Sequence, residues 1–193
     1  MLKSALHYSH DLLAQVVQPG NWVIDATVGN GHDTLFLAEL VGKTGRVIGF
    51  DVQKIAIQRT TERLEDANLS QRCALHTKGH ETIDELVPFE QLIHAAVFNL
   101  GYLPNSDKEV ITQAQTTLTA LKAIMKRLAP GGRIVVVVYY GHPGGLEEKN
   151  HVQQFAETLP QSDYNVLQYG FINQKNNPPY LLCIEKKRTK NAR

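Results

Sequence analysis

With 193 residues, 42% hydrophobic and 20% charged, the chain carries enough apolar material for a sizeable core in one globular domain. A formal net charge of +1 excludes a global polyanion-binding field, so any nucleic-acid surface has to be local. No long apolar span or signal-peptide pattern appears, and Cys73 and Cys183 sit in apolar strand-like runs. The expectation is a cytoplasmic protein with reduced, buried thiols, forming a single domain over 1–193.

Leu2 to Val17 reads as an amphipathic helix, with Leu6, Leu12, Leu13, Val16 and Val17 as buried positions and Pro19-Gly20 as its stop. Of its histidines, His10 is expected to lie at the surface or cap the helix, and His7 either does the same or faces the cofactor pocket. Trp22-Val23-Ile24 is too short for a helix and reads as a buried strand. Val28-Gly29-Asn30-Gly31 then makes a tight turn, and His32-Asp33-Thr34 opens the helix Leu35-Phe36-Leu37-Ala38. Strand, glycine turn and helix in this order form the mouth of a nucleotide pocket in an open α/β sheet. The bland alternative is a plain strand-to-helix turn.

The dinucleotide pattern G-x-G-x-x-G is half met, because Thr34 stands where the third glycine belongs. A pyrophosphate there would meet Asp33 at the helix start and Asp25 at the strand end, two carboxylates opposing an anion. Those acids suit a ligand with an ammonium and a sulfonium. S-adenosylmethionine is such a ligand, and a nicotinamide-dependent oxidoreductase is disfavoured.

Arg46-Val47-Ile48-Gly49-Phe50-Asp51 is a second strand ending in an acid. Asp51 falls roughly 20 residues after the glycine turn, where a carboxylate binds the hydroxyls of an adenine nucleotide's ribose; the alternative is a cap for the next helix. Gln53 lies beside it, and Lys54 to Ala67 is helical, with Ile55, Ala56, Leu64 and Ala67 available to pack. Cys73-Ala74-Leu75 is a third strand, leading to Lys78-Gly79-His80-Glu81, a loop that would border adenine or lie in solvent.

Ile93 to Phe98 is the fourth strand, and it delivers Asn99-Leu100-Gly101-Tyr102-Leu103-Pro104. This stretch resembles the Asp/Asn-Pro-Pro-Tyr element of methyltransferases acting on exocyclic amines. An Asn oxygen and the following Leu100 carbonyl accept an amine's two N–H groups and aim its lone pair. Tyr102 would wall the pocket, its ring face suiting a sulfonium. Otherwise Asn99 is a turn residue and Tyr102 a core edge.

Ile111 to Leu128 contains a long amphipathic helix, and Pro130-Gly131-Gly132 turns it into Arg133 to Val138, a doubly covered central strand. That strand ends in Tyr139-Tyr140-Gly141-His142-Pro143, on the same rim as Asn99, which makes His142 a candidate proton acceptor or substrate-positioning group. Glu147 to Leu159 is helical, and Tyr164 to Ile172 and Tyr180 to Glu185 are strands joined by a loop containing Asn173, Gln174, Asn177, Pro178 and Pro179. The loop contacts substrate or is a rigid turn; the basic tail from Lys186 to Arg193 touches RNA or is merely solvated.

Asp25 to Thr34, Asn99 to Pro104, Tyr140-Gly141-His142-Pro143, and Gly170-Phe171-Ile172-Asn173-Gln174 with Asn177-Pro178-Pro179 together resemble one small bacterial family, labelled rRNA methylases. One departure is Asn105-Ser106, where the family has Gly-Gly. The resemblance covers essentially the whole chain. It implies an α/β Rossmann-like class I methyltransferase sheet, mostly parallel, with an antiparallel C-terminal hairpin and helices on both faces. It implies S-adenosylmethionine as cofactor, held by Asp25, Thr27, Gly29, Asn30, Gly31, His32, Asp33, Asp51, Val52, Gln53, His80, Glu81 and Asn99. Asn99, Tyr102 and His142 would be catalytic, with Leu100, Tyr140, His142, Asn173 and Gln174 on the substrate. The implied reaction is methylation of the 5-aminomethyl nitrogen on a tRNA wobble uridine, so the partner is tRNA at its anticodon region. A homodimer is left open, with no membrane and no metal expected. The alternatives are an rRNA base amine as substrate, or a non-catalytic RNA-binding sensor of S-adenosylmethionine.

Overall fold

The computed structural model describes residues 1–101 and 112–188. Seven strands form one sheet: β1 (Trp22–Asp25), β2 (Arg46–Phe50), β3 (Cys73–His76), β4 (Ile93–Leu100), β5 (Leu128–Val138), β6 (Tyr164–Tyr169) and β7 (Tyr180–Lys186), in the order β3-β2-β1-β4-β5-β7-β6. β7 runs antiparallel to both β5 and β6, so β6 is again parallel to β5 and the reversal is confined to β7. The other neighbouring pairs are parallel.

Helices cover both faces. α1 (Ala5–Ala14), α2 (His32–Val41) and α3 (Lys54–Asp66) pack on one, and α4 (Ile83–Leu86), α5 (Ala114–Arg127) and α6 (Gly145–Glu157) on the other. Strand alternation explains the division. Val23, Val135 and Val137 face Leu13, Leu37 and Val41, whereas Ile24, Ile134 and Val136 face Leu121, Ile124 and Val152. Arg133 apart, the second half of β5 is buried throughout, as a strand covered on both faces requires. Each such Leu, Ile or Val contributes about 1.5–3 kcal/mol on burial.

Three local expectations are corrected. Pro130-Gly131-Gly132 lies within β5, where the register jumps from Ile93 opposite Leu128 to Ala95 opposite Arg133 and absorbs the turn-like residues as an irregularity. Ile55 and Ala67 are exposed, and Thr60 joins Ala56 and Leu64 on the buried face of α3. Leu6 is exposed because it faces a cavity rather than the core. Among the described residues no helix is long and apolar enough to cross a membrane.

The strand order reverses between β1 and β4, which opens a crevice beyond their C-terminal ends. The glycine turn and Asn99 both lie there.

Candidate active site

The crevice is a cavity of about 1100 Å³, at the upper end of the roughly 300–1,000 Å³ usual for ligand pockets. Gly29 (φ +53°) and Gly31 (φ +78°) both occupy the left-handed region that favours glycine. A Cβ on Gly31 would lie 2.6 Å from Thr60 Oγ1, so this glycine also sets how closely the turn approaches α3. Asp51 Oδ2 accepts the Gly29 N–H and Oδ1 the Gln53 N–H, both at 2.9 Å. The carboxylate therefore ties the glycine turn to the end of β2, and each oxygen keeps a lone pair for a ligand hydroxyl. The N-cap of α3 is Gln53, not Asp51. Burial raises the Asp51 pKa.

Asp25 is fully buried beneath this floor and does not line the cavity. It accepts the Thr34 hydroxyl at 2.6 Å and the Thr27 N–H at 3.2 Å. Burial first, then the neighbouring Asp33 carboxylate, pushes its pKa up from 3.8 to about 7. Between those values the unfolded chain binds fewer protons than the folded one, so stability falls as pH rises from about 4 to about 7. Asp25→Asn is therefore expected to flatten this part of the Tm-against-pH curve and to gain several degrees on wild type at pH 8. A parallel pair of curves in calorimetry would show that Asp25 is ionised throughout.

Asp33, whose side chain is only 8% exposed, carries two short contacts: His10 Nε2 at 2.6 Å on Oδ1 and Asn99 Nδ2 at 2.6 Å on Oδ2. Because a carboxylate only accepts, the Asn99 amide is turned with its NH₂ toward Asp33 and its oxygen away. The Asn99 backbone is pinned as well, its N–H donating to Thr27 Oγ1 at 2.7 Å. The Leu100 carbonyl already accepts the Tyr139 N–H at 3.0 Å, leaving one lone pair. Beyond it, Gly101 N–H donates to Thr112 Oγ1, and the Thr112 and Thr117 hydroxyls close on the buried Glu148 carboxylate at 2.6 and 2.7 Å.

Around the rim, His80 is buried and not a solvent loop residue: its Nδ1–H donates to the Ala26 carbonyl at 3.0 Å, and burial lowers its pKa, favouring the neutral ring. Val52, Gln53 and Glu81 line the cavity beside it, as do Thr27, Asn30 and His32 nearer the turn. Gly31 lies under the floor. Tyr140 and His142 line the opposite wall; Lys149 Nζ sits 4.4 Å from the Tyr140 ring centre, and His142 Nδ1–H donates to the Pro143 carbonyl. Asn173 and Gln174 are exposed in the β6–β7 loop and do not line the cavity; Asn177 does, because Asn176 and Asn177 take positive φ and fold that end of the loop over Gly141. Tyr102, like Asn105 and Ser106, lies outside the described residues.

With this geometry in view, comparison with known proteins is direct. Residues 47–185 match the protein family described as "Putative rRNA methylase". An Arabidopsis thaliana protein named chloroplastic tRNA (mnm5s2U34)-methyltransferase is 40% identical over 95% of this chain and 70% of its own length. The chain belongs to the rRNA methylase family. The crystal structure of a putative rRNA-methylase from Clostridium thermocellum superposes with TM-score 0.93 at 46% identity, covering 96% of this chain and 99% of that one. A putative methyltransferase from Streptococcus mutans, solved with SAH, gives TM-score 0.88 at 46% identity over the same shares.

This member of the family is an S-adenosylmethionine-dependent methyltransferase. Its residues fit that cofactor: a carboxylate at the end of β2 with lone pairs to spare, a second at the start of α2, and a glycine turn with no side chain in the way. Neither cysteine lines the methyltransferase cavity, and burial pushes both thiols up to about 12, far from a nucleophilic thiolate. Among the described residues no cluster suits a metal ion. At the start of the basic tail, Lys186 and Lys187 donate to the Leu128 and Gln161 carbonyls; residues 189–193 lie outside the described residues.

Neither histidine of α1 lines the cavity, but one of them reaches a residue that does. His7 is exposed and bonded to Ser4, whereas His10 reaches Asp33. A signal was present: His10 shares a helical face with Leu6, Leu13 and Val17, at spacings of four, three and four. Thr112 and Glu148 were also missed, and nothing local in the sequence marks them; Asn177 belongs to the polar loop read as a substrate contact or a rigid turn.

Proposed function

We propose that this methyltransferase transfers a methyl group to the 5-aminomethyl nitrogen of a tRNA wobble uridine, giving 5-methylaminomethyl-(2-thio)uridine. The observation that carries the reading is the Asn99 amide, whose NH₂ is spent on Asp33 so that its oxygen is the acceptor presented to a substrate. An acceptor selects a donor, and an amine offers two N–H groups. The name of the 40% identical Arabidopsis relative supports the same substrate class.

When bound, S-adenosylmethionine supplies a methyl group made electrophilic by its sulfonium. Asp51 would hold the ribose hydroxyls, and Asp33, with spare lone pairs, would draw the cofactor ammonium. Asn99 Oδ1 and the remaining lone pair on the Leu100 carbonyl hold the amine N–H groups, which aims the nitrogen lone pair at the methyl carbon. Bonding of that nitrogen to the methyl would release the C–S electron pair to sulfur, and the product ammonium would then give up a proton. Desolvation in the cavity lowers the amine pKa beforehand, so that a neutral nitrogen is available. His142 and Tyr140 border the substrate side, with His142 as proton acceptor or positioning group.

The test is nucleoside mass spectrometry on tRNA from a deletion strain incubated with purified enzyme. The expected result is conversion of the free 5-aminomethyl nucleoside to its methylated form, with no product on tRNA whose wobble uridine is unmodified. Methylation of that control, or of rRNA, would overturn the substrate assignment.

A further inference from the structure

His10 lies outside every residue set that the cofactor or the amine requires, yet it makes one of the shortest contacts at the site. Its Nε2 is 2.6 Å from Asp33 Oδ1, and its ring stacks on Phe36 with centroids 4.1 Å apart and planes within 7°. The stack fixes the ring plane, and the carboxylate fixes which nitrogen carries the proton: Nε2 must donate. Asp33 is thereby held from one side by α1 and from the other by Asn99 at the end of β4. A carboxylate gripped at one oxygen cannot swing, so its second oxygen stays where the Asn99 NH₂ meets it.

We propose that His10 is a positioning residue for methyl transfer, acting through Asp33 to keep the Asn99 amide in its oxygen-outward orientation. This rests on the proposed amine chemistry of Asn99. Without His10, Asp33 is free to rotate toward the cofactor ammonium, its other attractive partner, and the amide loses the carboxylate that distinguishes its two ends. An inverted amide would present NH₂ to the amine, donor against donor, and the acceptor geometry would be lost. The contact thus divides the Asp33 carboxylate between cofactor and substrate instead of yielding it to the cofactor alone.

Two variants separate this role from simple packing. His10→Phe keeps an aromatic ring against Phe36 and removes the donor; His10→Gln keeps a donor near the Nε2 position and removes the ring. The expected result for His10→Phe is a loss of kcat of about tenfold or more, the scale of one charge-assisted hydrogen bond, with S-adenosylmethionine Kd within about threefold of wild type. His10→Gln should recover most of the loss. A second readout needs no turnover: the side-chain NH₂ resonance of Asn99, identified by its absence in Asn99→Asp, should shift in His10→Phe and return in His10→Gln. If wild-type enzyme left aminomethyl tRNA unmethylated, the substrate reading would fall while the resonance still tested the positioning. Wild-type kcat and an unmoved Asn99 resonance in His10→Phe would overturn the proposal, as would an equal loss in both variants.

Discussion

Asn99→Ala is expected to lower kcat about 100-fold, the scale of a reacting group displaced by about an ångström, with S-adenosylmethionine Kd changed only slightly. The split follows from what the side chain touches. Its backbone N–H is bound to Thr27 and survives truncation, so the strand end stays in place while the outward oxygen and the NH₂ bond to Asp33 are lost; Asp33 keeps its contact with His10. That oxygen matters most when the amine is aligned for attack, and an interaction realised mainly in the transition state appears in kcat. Some turnover should persist, because the Leu100 carbonyl keeps one lone pair beyond its bond from Tyr139. Steady-state kinetics on aminomethyl tRNA, with calorimetry for the cofactor, measures both quantities. Wild-type kcat would remove Asn99 from the mechanism.

Asp51→Ala should act on the other quantity. Loss of a charge-assisted hydrogen bond costs about 1.5–3 kcal/mol, which corresponds to a Kd for S-adenosylmethionine weaker by about 10-fold to 150-fold. The upper part of that range is expected, because Asp51 also carries the Gly29 and Gln53 N–H groups. Without it the turn loses the strap that holds it to β2, and the backbone that the cofactor would lie against is less ordered. Because the Asp51 pKa is raised by burial, the wild-type affinity should itself weaken as pH falls toward the carboxylate range, and the Asp51→Ala affinity should not. Calorimetry at two pH values distinguishes this from a cap role, for which cofactor affinity would be unchanged in a folded variant.

The sequence by itself determined the frame of this protein. Apolar runs too short for helices, Trp22-Val23-Ile24 and Ile134 to Val138 among them, could only be covered strands, and the glycines at 29 and 31 could only mark a turn with positive φ. The acid at 33, beside the helix start, favoured a cationic adenosyl ligand over a pyrophosphate, whereas Asp25, which the sequence offers as a second such charge, lies buried outside the cavity with its pKa raised. What the tertiary structure decided was which side chains meet. Asp33 finds His10 across 23 residues and Asn99 across 66, and Glu148 finds Thr112 across 36. Hydrophobic periodicity places helices on a sheet but does not fix their rotation or depth to the ångström that a hydrogen bond needs. For the same reason it could not tell Asn177, folded over Gly141, from Asn173 and Gln174, left in solvent on the same loop. Positive φ at Asn176 and Asn177 accompanies that difference; asparagine is a residue type that visits this region, so the sequence permits the fold-back without specifying it.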